Sequence, residues 1–145
     1  VHVVVGKAAD SPAVLVAYTS MRAATAEHGT LGPQISSALM LATASAVGND
    51  YVVAITSRLA AMMGWSDEQV AALRAGTTFG DNTIDTLTGL VREAAVNAGN
   101  VKDTTWTTAQ DGGWNDEQLA EAFAYLGLTV FTAYFLNYAQ TDIDV

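Results

Sequence analysis

Few side chains in this chain can carry chemistry near neutral pH. None of its 145 residues is a cysteine, which excludes disulfides, thiolate metal sites and thiol redox cycling within the chain. Its two histidines, His2 and His28, stand 26 positions apart with no thiol beside them, so no metal site is expected. There is no glycine-rich phosphate loop and no nucleophile elbow, and no cofactor is expected. What remains gathers at the start of Gly48 to Gly76, where Asn49, Asp50 and Tyr51 precede an apolar helical stretch carrying Val52 and Thr56. Asp50, Tyr51 and His28 are the groups able to move a proton there. Each also has a structural role open to it, and that role is the preferred reading. Asp50 can cap a helix. Tyr51 can pack its ring in the core with its hydroxyl at a helix end. His28, beside Gly29, can complement a helix dipole.

Helices must position these residues. Ser11 and Pro12 start the first one, as cap and first helical residue, and Val14, Leu15, Tyr18 and Met21 follow at helical spacing to an end near His28-Gly29. After Thr30 to Pro33, a second helix runs from about Gln34 to Val47 with Ile35, Leu39, Ala42 and Ala46 on one face, and Gly48 stops it. The third is capped by Asn49 or Asp50 and reaches about Met63, with Val52, Ile55, Leu59 and Met62 as its buried stripe. Ser66 and Gln69 form a capping box that opens a fourth helix, to Ala75. A fifth starts at Asp81 to Thr83, turns Ile84, Leu87, Leu90, Val91 and Ala94 inward, and ends at Gly99. Lys102 to Gln110 forms a short helix carrying Trp106. Asn115 opens the last and longest, whose stripe is Leu119, Phe123, Leu126, Val130 and Tyr134. Val1 to Val5 reads as a tail that orders against a neighbour, and Thr141 to Asp144 as a polar end. No strand-turn-strand signal exists, so the fold class is all-α, in a single domain spanning residues 1–145.

One internal repeat stands out. Gly64-Trp65-Ser66-Asp67-Glu68-Gln69-Val70-Ala71 recurs as Gly113-Trp114-Asn115-Asp116-Glu117-Gln118-Leu119-Ala120. Both combine a glycine stop, a tryptophan, a cap and an acidic first turn favoured by the helix dipole. Convergence of good helix starts on the same chemistry is preferred here to duplication.

Half of the residues are hydrophobic and 14% are charged, against roughly 25% in an average soluble chain. That shortage of charge points to a homo-oligomer with faces buried between subunits. The net charge is −9 and the six basic residues are scattered, so neither nucleic acid nor an anionic membrane surface is an expected partner. No run of about 18 uninterrupted apolar residues appears, so no membrane span is expected. His2 to Gly6 is too short for a signal-peptide core, and the expected location is cytoplasmic. The chain lacks an initiator Met, so N-terminal residues are expected to have been removed or omitted.

The stretch from Gly48 to Gly76 resembles the helical hairpin of the alkylhydroperoxidase D / carboxymuconolactone decarboxylase superfamily. Thiol-active members carry Cys-x-Tyr-Cys with a His four residues later and a Glu about twelve residues before. Tyr51 anchors the match, while Asn49, Val52, Thr56 and Ser37 occupy the first Cys, second Cys, His and Glu positions. Gly64 to Glu68 resembles the step after the family's active helix, Val101 to Gln118 its later short-helix step, and Phe131 to Asn137 with Thr141 to Asp144 its ending. Ala133 departs from the usual Asn. The resemblance implies an all-helical bundle assembled into trimers or hexamers. Thiol peroxidase activity is excluded by the missing sulfur. Helical spacing puts Val52 and Thr56 on one face with Asn49 at the same end; if Ser37 faces them, the four line a small neutral pocket able to take a small organic ligand, and the equal alternative is that neighbouring side chains fill it. The expected function is a non-redox small-molecule binding or accessory protein. The alternatives are a structural oligomer, or a cofactor-free lyase, decarboxylase or isomerase acting on a small carboxylated or lactone substrate. The enzyme would use Asp50, Tyr51 and His28 as acid-base groups.

Overall fold

A computed structural model describes residues 10–139. The Val1 to Val5 arm and the Thr141 to Asp144 end lie outside them. Seven helices follow in order: α1 (Pro12–His28), α2 (Pro33–Val47), α3 (Asp50–Met62), α4 (Asp67–Ala75), α5 (Asn82–Val96), α6 (Asp103–Asp111) and α7 (Asp116–Ala139). No strand occurs among the described residues, so the fold is all-α as expected. The starts fall where the capping residues put them. Ser11 Oγ accepts from Val14 N, Asn49 Oδ1 from Val52 N at 2.8 Å, and Asp81 Oδ1 from Ile84 N. Ser66 with Gln69 and Asn115 with Gln118 each close a reciprocal box.

The bundle is built around α2, against which α3, α4, α5 and α7 all pack. The single inward face read for α2 is too narrow. Ser36 through Thr43 are buried apart from half-buried Met40, and Ser37, Leu39, Leu41 and Thr43 are fully enclosed. Its alanines and serines allow helices to close in from several sides at once. The stripe expected on α3 is rotated. Tyr51, Val52, Thr56 and Ala60 are buried, Ile55 and Leu59 are half-buried, and Met62 is 75% exposed. On α7 the expected stripe runs along one edge of the buried arc, which also holds Ala122, Thr129, Ala133 and Leu136, and Tyr134 at its end is exposed. Steps of four residues overshoot the 3.6-residue turn, so such a line drifts out of the contact over several turns. By length and composition α7 alone among the described helices could cross a membrane, and half of that window is buried inside the bundle. Core packing accounts for its apolar character. The outermost helix is α1, which buries only Tyr18 and leaves Met21 exposed.

The repeat extends far beyond the helix start. Trp65 Nε1 donates to the carbonyl of Gln34 at 2.8 Å, and Trp114 Nε1 donates to that of Thr83 at 2.8 Å, 31 residues back in both cases. The same two carbonyls also accept Ser37 Oγ and Thr86 Oγ1. Gly64 and Gly113 both take positive φ, 101° and 109°, where a side chain would be strained. All these pairs share one offset of 49 residues, as do Ile35 and Ile84, Leu41 and Leu90, Val52 and Val101, and Ala60 and Ala109. Thus α2-α3-α4 is repeated as α5, α6 and the first turns of α7. The correspondence therefore reaches core positions and hydrogen bonds as well as caps.

Candidate functional site

Four helices leave a cavity of about 100 Å³ between them. From α3 it takes Val52, Ile55, Thr56 and Leu59, and from α2 Met40. Leu128, Thr129 and Thr132 of α7 form the opposite wall, and Tyr18 and Arg22 of α1 lie across it. A larger, adjoining trough of about 460 Å³ shares Arg22, Met40, Leu59 and Leu128 and continues to Gly29, Ser36 and Tyr125. Rotation of α3 produces this space. Its small buried residues let it approach its neighbours, and Ile55 and Leu59 are left facing the gap beneath α1.

Of the residues expected at a site, the structure brings Val52 and Thr56 to the cavity. Ser37 is fully buried elsewhere, with its hydroxyl on Gln34 O at 2.7 Å. Asn49 is a clamp. Its Oδ1 caps α3, while its Nδ2 donates to Ala133 O at 3.1 Å and to Asn137 Oδ1 at 2.8 Å on α7. Asp50 is exposed in a separate surface hollow beside Ser45, Gly48 and Arg74. Tyr51 is buried in the smaller core cluster with Val52, Leu128 and Leu136. His28 is 77% exposed at the end of α1, 3.9 Å from the Glu27 carboxylate. Asp50, Tyr51 and His28 are therefore not gathered on the cavity, whose lining contains no carboxylate and no imidazole.

The polar groups in the lining divide into two kinds. Thr56, Thr129 and Thr132 each donate their hydroxyl to a carbonyl one turn back, at 2.7, 2.8 and 2.7 Å. Their donors are spent, so they present methyl groups and lone pairs. The donors left are on α1. Arg22 Nη1 donates to Tyr18 OH at 3.2 Å, and the guanidinium carbon sits 5.8 Å from the Tyr18 ring centroid. The sequence carries a usable signal for this pair, a Tyr and an Arg one helical turn apart. It gave none for Met40, Leu128, Thr129 and Thr132, which meet only through tertiary packing.

Beyond the trough, Glu121 of α7 accepts from Thr30 N and Thr30 Oγ1, both at 2.7 Å, and from Leu31 N at 3.0 Å. Partial burial pushes its carboxyl up, but these hydrogen bonds together outweigh that and hold it below the ordinary range. Burial, followed by the charge of Glu121, raises the Tyr125 phenol. Between α4 and α5, burial lowers the Arg92 guanidinium, which donates to the carbonyl of Leu73. Both are fold contacts that close loops and helix ends.

No family profile matches the chain, and no curated protein matches it.

Proposed function

We propose that this chain is a non-redox small-molecule binding protein of the alkylhydroperoxidase D-like / carboxymuconolactone decarboxylase-like type, acting as a cytoplasmic homo-oligomer. The observation that carries the reading is an apolar cavity at Val52 and Thr56 with no carboxylate and no imidazole in its lining. A pocket of this kind favours binding over catalysis, because its one titratable group besides Arg22 is the Tyr18 phenol, and phenols ordinarily titrate far from neutral pH. The lyase alternative would need Asp50 or His28 to reach the cavity, and neither lines it.

The test is methyl-resolved NMR of the protein titrated with short alkanols. Shifts should concentrate on the Met40 ε-methyl and the Leu128 and Ile55 methyls. Filling the space with Thr129→Leu should abolish them while leaving the fold intact. Shifts that persist unchanged in a folded Thr129→Leu variant would place binding elsewhere and end the proposal.

A further inference from the structure

Arg22 and Tyr18 give the cavity a chemical preference, an inference that rests on the cavity being a ligand site. We propose that its ligand is a short monocarboxylic acid, with the alkyl tail against Val52, Ile55 and Leu128 and the carboxylate held by Arg22 and Tyr18. Three observations converge on this. Arg22 is the only charged side chain in the lining. Among the described residues the one ion pair joins His28 to Glu27, so no carboxylate comes within 4 Å of Arg22. Its single hydrogen bond, to Tyr18 OH, leaves the other guanidinium donors free.

Tyr18 supplies a second donor. It is only 5% exposed, and its hydroxyl oxygen accepts from Arg22. The phenolic hydrogen has no protein acceptor among the described residues, so it can donate to the same anion. An acceptor with two oxygens satisfies both groups at once, and charge-assisted hydrogen bonds of this kind are the strong ones. An amine is disfavoured by the guanidinium charge, and an alcohol engages the pair through one oxygen only.

Size limits the tail. A dry cavity of about 150 Å³ takes a benzene ring, so the 100 Å³ here suits a tail of roughly four to six carbons. Arg22 is exposed and lines both the cavity and the adjoining trough. A head group at Arg22 therefore keeps access to water while the tail lies against the apolar lining.

Isothermal titration of the full chain with pentanoate and with 1-pentanol tests this. Pentanoate should bind about tenfold tighter than the alcohol, and the advantage should shrink as salt is raised. Arg22→Gln should remove the advantage by weakening pentanoate far more than pentanol, while Arg22→Lys should restore part of it. Tyr18→Phe, checked for an unaltered melting temperature, should weaken pentanoate selectively. Equal or tighter binding of pentanol by the parent chain would overturn the carboxylate inference and leave the cavity reading standing. If neither probe binds, both fall.

Discussion

Asn49 uses every polar atom of its side chain, one to cap α3 and the other to reach two oxygens of α7. Asn49→Ala should lower unfolding free energy by about 1–3 kcal/mol in urea titrations, combining a lost cap with lost buried hydrogen bonds. Asn49→Asp keeps the cap but sets a carboxylate against Ala133 O and Asn137 Oδ1, so it should recover little of that loss. The cap was legible from sequence. The contacts to α7 were not, because they join residues 84 and 88 positions apart. Ser57 is the opposite case, with a buried hydroxyl that has no hydrogen-bond partner among the described residues. Ser57→Ala removes an unsatisfied group and should be neutral or stabilising by up to about 1 kcal/mol in the same assay. Ser37 shows how position in a motif can mislead. The resemblance puts it at the Glu position of the thiol-active pattern, but its hydroxyl shares a helix-start carbonyl with Trp65, as Thr86 does with Trp114.

At the scale of elements, the α1–α2 turn is tied to α7 by Glu121. Gly29 lies so close beneath this knot that an added Cβ would fall 2.4 Å from Thr25 O and 2.6 Å from Tyr125 OH. Gly29→Ala should therefore destabilise the chain by about 1–3 kcal/mol through forced displacement. The Glu121 carboxyl binds a proton less readily in the folded chain than in the unfolded one. Its stabilisation is present above the ordinary value of 4.5 and is lost as the pH falls through the lower folded value. Melting temperatures measured from pH 6 down to pH 3 should fall, and Glu121→Gln should flatten the profile while lowering stability at pH 6. Helix limits were readable because caps and glycines are local signals. Which face of α3 or α7 turns inward was not, because it depends on how closely small residues let neighbours approach.

Across the whole molecule, the two halves share a scaffold and differ in what they enclose. Met40, Ile55 and Leu59 in the first half are replaced by Gly89, Thr104 and Thr108 in the second, where they line an open hollow with Asp85 and Glu93. The cavity at Val52 and Thr56 lies under α1, and its counterpart in the second half is a polar hollow. Val16, Met62, Val96, Tyr134 and Tyr138 are exposed large apolar groups on a chain with little charge. Light scattering should give three or six times the 15.1 kDa subunit mass, and a monomer would end the oligomer proposal. The all-α class was legible in the sequence as a whole, since it needs only periodicity and stops. The cavity was only half legible, through Val52 and Thr56, because its other walls come from distant segments. The repeat also supplies paired optical probes. Trp65 and Trp114 occupy equivalent seats in the two halves, and neither lines the cavity. Their emission should be blind to ligand, while single-tryptophan variants should light up each half separately. Coincident fluorescence transitions in denaturant would show the halves melting as one unit, and separated ones would date the loss of each.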